Sequence, residues 1–328
     1  MKNLITDIPG LSVGNAQDAK LASGVTALVF DEPAIASVAV HGGAPGVRDA
    51  ALLEPGMTVE RVDALILSGG SVFGLDSVGG ALAFLRERGR GFPVGSIKVP
   101  IAPGAVLFDL LNGGDKNFGR EPIYWHLGYQ AAAAATHDFA LGNVGAGLGA
   151  TTANLKGGLG SASATTSSGF RVGALVAVNA VGCATIGDGP HFWAAPYEQD
   201  DEFGGVGWPS PWPHDQQDFR IKGVDPENTT IAVVATDAAL TKAEAKRLAI
   251  MAHDGMAHAL RPTHAAMDGD TIFSAATGAA QKIPTLRDQT EIGMRAADCL
   301  ARAIARAIFE AEALPFPGAL PSWRGRFG

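Results

Sequence analysis

A mixed α and β fold, either α/β or α+β, is what this sequence predicts, on three observations. Strand-like β-branched runs alternate with helical apolar periodicities along the chain. Hydrophobic residues make up 47% and charged residues 18%, the balance of a globular chain. The 43 glycines are concentrated before about residue 190, where β-branched runs separate them, so they signal tight turns and close backbone approaches and not disorder. At 328 residues the chain can bury a substantial core as one large or two ordinary domains.

Taken in order, Gly24–Phe30 and Ile35–Val40 are expected to pair as strands across the turn Asp31-Glu32-Pro33. Ala64–Leu67 is a short apolar strand running into Ser68-Gly69-Gly70-Ser71, and a helix is expected from Val72 to Arg88. A second helix fits Glu121 to His137, with Pro122 suited to its first turn. Gly142 to Gly169, rich in glycine and hydroxyls, is expected to be a functional or packing loop. Arg171–Val178 is a strand, interrupted by Asn179, with Ala184-Thr185-Ile186 as its candidate hairpin partner. Residues 188–223, rich in Trp and Pro, are the best candidate for a mobile linker.

The C-terminal third has a cleaner order. A strand over Thr229–Asp237 is followed by a helix from Lys242 to about Leu260, opened by the capping box Thr241-x-x-Glu244. A strand near Thr271–Ala275 and a final helix from about Asp288 to Ala313 complete it; Leu314-Pro315-Phe316-Pro317-Gly318 stops that helix.

Composition also excludes function classes. A net charge of −8 with no basic run argues against nucleic acid or an anionic membrane as partner. The first ten residues lack a signal-peptide core and no 18-residue apolar stretch occurs, which places the expected location in the cytoplasm. Two cysteines, Cys183 and Cys299, make no disulfide framework and suit a reducing compartment. Gly145–Ala150 fits the loose Gly-x-Gly-x-x-Gly/Ala form, but Thr151–Gly158 is poor helix and no acid follows at the required distance. His253 and His258 miss the i, i+4 spacing of two ligands on one helical face, so neither metal nor cofactor is expected.

Two short patterns carry chemistry. Asn228-Thr229 sits where a polar, turn-favouring run meets an apolar strand. By default it is an ordinary strand entry. Its functional alternative is self-cleavage: the Thr229 hydroxyl attacks the preceding carbonyl, and the freed α-amine, with an ordinary pKa of roughly 7.7–8.0, then serves as base for that hydroxyl. Asp268 and Asp270, in Met267-Asp268-Gly269-Asp270-Thr271, point to one side where the chain is extended, and either form a turn before a strand or hold and tune Thr229. Asn179 is a structural hydrogen-bonder or an oxyanion donor, and Lys156 in its glycine loop is by default a solvated surface residue.

Together these segments resemble the L-aminopeptidase/D-esterase (DmpA-type) family, which includes β-aminopeptidases and nylon-oligomer (6-aminohexanoate-oligomer) endo-hydrolases. The resemblance spans nearly the whole chain: Gly42–Arg48, Leu67–Leu75, Gly145–Gly149, Lys156–Ser163, Asn228–Ile231 and Met267–Thr271. It implies an α+β four-layer αββα sandwich, similar to N-terminal-nucleophile hydrolases but differently connected. It also implies one domain over 1–328, cut into 1–228 and 229–328 fragments that stay together, in a homo-oligomer with a tetramer favoured.

By position Thr229 then corresponds to the nucleophile, Asn179 to the oxyanion-site asparagine and Lys156 to a site lysine. Asp268 and Asp270 match the acidic pair of the nylon-oligomer branch. Phe108 stands where that branch has a tyrosine, Asn154 occupies its lysine position in an ungapped alignment, and Ser71 is a further pocket candidate. The activity implied is hydrolysis of small peptides, amino-acid amides or ω-amino-acid oligomers through an acyl-enzyme. The alternatives are an aminopeptidase or esterase of other specificity, and an uncut, non-catalytic member acting as a binding or structural oligomer.

Overall fold

The structure is a computed structural model and describes residues 1–213, 219–223 and 228–328. The expected pairing across Asp31-Glu32-Pro33 is replaced by one continuous strand, β2 (Ser23–Val40), which instead forms its hairpin with β1 (Leu11–Asp18). Asp31 and Glu32 are exposed, and the register of β2 against β4 (Arg61–Ser68) shifts between Val29 and Ala34. These three turn-favouring residues therefore mark an irregularity within a strand. Beyond it β2 exchanges β1 for β11 (Thr271–Ala276) on one edge, so one long strand serves two parts of the sheet.

The main sheet runs β3 (Gly46–Arg48), β7 (Gly104–Val106), β4, β2, β11, β10 (Thr229–Thr236), β9 (Arg171–Asn179) and β8 (Leu159–Thr165), with β1 beside β2. It folds over on itself, and period-two alternation assigns side chains to three cores. Val25 and Ala27 of β2 face α1 (Ser77–Glu87) and α2 (Tyr124–Ala133). Leu28 and Phe30 face the opposite way, into a middle core with Leu175 of β9, Ile231 and Val233 of β10 and Phe273 of β11. The outward residues of β9 and β10, among them Val176 and Val234, pack on α3 (Lys242–Ala259) and α4 (Leu286–Phe309). Helices, sheet, sheet, helices: the α+β four-layer αββα arrangement follows. Each fully buried Leu, Ile or Phe adds about 1.5–3 kcal/mol of apolar burial.

Other expectations shift locally. The helix expected from Val72 opens as a 3-10 turn over Ser71–Asp76 before α1 begins, and α2 is shorter than its apolar pattern at both ends. The Gly142–Gly169 stretch contains a strand, β8, and it is β8 and not Ala184–Ile186 that pairs with β9. The capping box Thr241/Glu244 forms as expected; a second, Thr285/Asp288, starts α4 at Leu286. α4 stops at Phe309, and Asn143 catches the unwound end by donating to the Glu312 carbonyl and accepting from its N–H.

The Trp/Pro-rich stretch is anchored and not a mobile linker, as far as it is described. Phe192 and Phe203 are buried in the outer core, and Glu202 is ion-paired to Arg302. A small exposed hairpin, β5 (Phe92–Val94) and β6 (Ile97–Val99), stands apart from the main sheet. Among the described residues no helix is long and apolar enough to cross a membrane.

Candidate active site

Two strand entries meet at Thr229. In the antiparallel β9–β10 ladder Thr229 lies opposite Asn179, while the preceding Asn228 forms a bridge with Asp268 just before β11. Both partners of the Asn228–Thr229 bond are buried, at 2% and 6% exposure. The Thr229 hydroxyl donates to the carbonyl oxygen of Asn228, which also accepts from the Gly269 N–H at 3.1 Å. Gly269 has to be glycine: a Cβ there would lie 2.5 Å from Thr229 Oγ1. Neither end of the buried Asn228 side-chain amide has a hydrogen-bond partner among the described residues, a costly arrangement beside this bond.

Asp268 and Asp270 do point together. Asp270 is the better solvated by protein: Oδ1 accepts from Thr230 N at 3.0 Å, and Oδ2 from Thr263 Oγ1, His264 N and His264 Nδ1 at 2.8–2.9 Å. Burial pushes its carboxyl up, but these hydrogen bonds outweigh burial and hold it below the usual range. Burial and the neighbouring Asp270 charge push Asp268 well above its ordinary value. Asp270 therefore carries the charge and Asp268 the proton of a shared acid pair.

Asn179 is completely buried, with each end of its amide in use. Nδ2 donates to the Phe108 carbonyl at 2.9 Å, while Oδ1 accepts from Thr151 N at 3.0 Å and Lys222 Nζ at 2.9 Å. A cavity of about 370 Å³ opens beside Thr229, of a size for a small ligand. Ser71 and Phe108 line it with Asn228, Thr229, Leu75 and Met267. Ser71 takes a left-handed φ of 52°, strained for a residue with a side chain, and its N–H donates to the Leu107 carbonyl at 2.9 Å. Asp109 braces the turn before it, accepting from Gly70 N at 2.8 Å and Ser23 Oγ at 2.6 Å.

Two expected residues lie elsewhere. Lys156 is neither solvated nor at the hydroxyl: it is buried, and its three N–H groups donate to the carbonyls of Gly147, Ala150 and Gly157 at 2.7–3.1 Å. It holds the glycine loop closed, and burial lowers its pKa to about 7. Asn154 does not line the Thr229 cavity; its Nδ2 donates to Thr185 Oγ1 at 3.3 Å. The sequence reading missed Lys222, Asp109, Thr263, His264 and the Gly269 N–H. Thr263 and His264 stand seven and six positions before Asp270, a spacing that by itself does not show the chain looping back onto it.

The chain is similar to known proteins along nearly its whole length. The chain is 42% identical over 350 residues to an uncharacterized aminopeptidase of Mycobacterium bovis, covering 99% of this chain and 98% of that one. A 6-aminohexanoate-oligomer endohydrolase of Agromyces sp. is 27% identical, over 83% of this chain and 74% of its own length. Among solved structures, a Burkholderia sp. beta-aminopeptidase superposes with a TM-score of 0.74 at 23% identity, covering 99% and 92% of the two chains. The L-aminopeptidase D-Ala-esterase/amidase of Ochrobactrum anthropi, a variant of the Ntn hydrolase fold, gives 0.71 at 20% identity, covering 98% and 90%. The model of peptidase family S58 matches residues 3–319, and the chain is a hydrolase belonging to that family.

Proposed function

We propose that this peptidase is made by self-cleavage between Asn228 and Thr229, and that Thr229 then hydrolyses small amides through an acyl-enzyme. The observation that carries this reading is the Thr229 hydroxyl lying against the carbonyl of its own preceding residue, with the Gly269 N–H on the same oxygen. Attack by Oγ1 on the Asn228 carbonyl carbon puts negative charge on that oxygen, where Gly269 N–H stabilises it. Collapse breaks the C–N bond, the α-amine takes a proton, and an ester remains for water to hydrolyse. The unpartnered Asn228 amide favours the step, because the new chain end can move it to where its polar atoms are satisfied.

In the mature enzyme the freed amine takes the proton of Oγ1 as it attacks a substrate carbonyl. The Asp268/Asp270 pair orients that amine. The Asn179 amide and backbone N–H groups hold the oxyanion. Phe108, Val72, Leu75, Val106 and Met267 give the cavity an apolar side, and none of the described residues lining it is charged. That wall suits the hydrocarbon of small peptides, amino-acid amides or ω-amino-acid oligomers.

Denaturing electrophoresis with intact-mass analysis tests the reading. Fragments of residues 1–228 and 229–328 are expected from wild type, and one uncut chain from Thr229→Ala. Hydrolysis of a chromogenic amide panel should fall by roughly 10⁴-fold or more in Thr229→Ala. Wild type that stays whole on long incubation, or Thr229→Ala that still cuts, overturns it.

A further inference from the structure

We infer that His41, His253 and His264 form a binding site for one divalent transition-metal ion, zinc foremost, directly behind the acid pair. The three residues are 212 and 11 positions apart along the chain, yet their candidate ligand nitrogens all lie within 4.8 Å of one another. The rings touch: His41 stacks on His253 with centroids 3.7 Å apart, and both meet His264 edge-on at 4.9–5.3 Å. A ring nitrogen's lone pair lies in the ring plane, so rings stacked face to face do not share an ion as they stand; His41 must turn off the His253 face to bring its nitrogen to an ion held by the other two.

The unused nitrogens point to a ligand. His253 is buried, and its Nε2 donates to the Ala39 carbonyl at 3.0 Å. Its Nδ1 is then a lone pair sealed from solvent with no partner among the described residues. Such an atom is rare unless something is meant to meet it. His264 donates from Nδ1 to Asp270 Oδ2 at 2.8 Å, which leaves Nε2 as its acceptor. Metal-bound histidines commonly hold this outer arrangement, one ring nitrogen to carbonyl or carboxylate and the other to metal.

Zinc–nitrogen bonds of about 2.0–2.1 Å put tetrahedral nitrogens about 3.3 Å apart, so on binding the nitrogens draw together and the His41 ring reorients. His41, the exposed member at the solvent side, has the freedom to make that adjustment. A fourth position stays open to water. Two links join the site to the catalytic machinery: His264 holds the Asp270 carboxylate, and the His41 N–H donates to the Asp270 carbonyl at 3.1 Å. An ion on His264 Nε2 pins the ring as an Nδ1–H donor and so fixes Asp270 in place.

Titration calorimetry with zinc chloride on metal-free wild type, with cobalt(II) absorption as a second readout, tests the site. One saturable equivalent per chain is expected, with a tetrahedral cobalt spectrum. His41→Ala, exposed and safe for folding, should weaken binding by at least tenfold, and His253→Gln should do the same if circular dichroism shows it folded. Repeating the titration on Thr229→Ala separates this inference from the proposed catalysis, since the ion needs no nucleophile. No saturable binding to wild type, or unchanged affinity in His41→Ala, overturns the inference.

Discussion

Lys156 shows how burial changes the meaning of a side chain. An ammonium in water keeps its proton until about pH 10.4, but here desolvation brings that point to about 7. Three carbonyls accept its protons, and among the described residues the Asp109 charge counteracts burial. Between about pH 7 and about pH 10 the unfolded chain binds one more proton here than the folded one. Stability must therefore rise with pH across that window, by up to about 1.4 kcal/mol per unit, and be flat below it. Unfolding free energies from urea denaturation should shift by roughly 2 kcal/mol in favour of wild type over Lys156→Met from about pH 7.5 to about pH 9.5; a constant difference would show a lysine protonated throughout. The sequence could not place this residue, because a lone Lys among glycines reads the same whether it faces water or three carbonyls. The positions of Thr229, first in β10, and Asn179, last in β9, were legible for the opposite reason: strand patterning puts each at a strand end. His264 was not, since nothing in a six-residue separation says that the chain loops back onto Asp270.

At the scale of elements, the sheet was easier to find than its connections. Apolar runs marked β4, β9, β10 and β11, yet the bulge in β2 looks like a turn, because Asp, Glu and Pro suit both. β8 was hidden because Gly160, Ser161 and Ser163 are weak strand formers. Its close fit explains them: a Cβ on Gly160 would come 1.9 Å from the Ala303 carbonyl of α4. The same logic governs the α1–α2 crossing, where a Cβ on Gly80 would lie 1.8 Å from the Trp125 carbonyl. Ala in place of Gly80 gains about 1 kcal/mol of helix propensity. It must also force two backbones apart, and overpacking costs about 1–3 kcal/mol. The carbonyl cannot rotate away, so the loss wins. Gly80→Ala should lower the denaturation midpoint; a rise would show that the crossing is looser than drawn.

Over the whole molecule, residues far apart in sequence converge on one buried ion pair. Arg302 of α4 is 2% exposed and donates to Glu202 Oε2 at 3.0 Å, to Ser163 O at 3.0 Å and to Asn3 Oδ1 at 2.9 Å. Arg302 thus ties the Trp/Pro-rich stretch, the chain start and β8 to the last long helix. Removing one member of such a pair leaves a buried charge without its partner. Glu202→Ala should cost about 3–5 kcal/mol, measured by urea denaturation. A loss below 1 kcal/mol would mean that Asn3 and Ser163 suffice. Arg302 lies after the proposed cut and its three partners before it.

The strand order has a consequence for assembly. β11 and β10 lie between β2 and β9, so the segment after residue 228 supplies the middle of the sheet and its neighbours on both sides come from the segment before it. Before scission, finding that slot is a search within one tethered chain. After scission the same structure can be regained from denaturant only by collision of two molecules, each lacking half of its ladder. The proposed scission would therefore turn a renaturable chain into a clasp that closes once: its persistence would rest on slow opening, and dilution would work against every attempt to rebuild it.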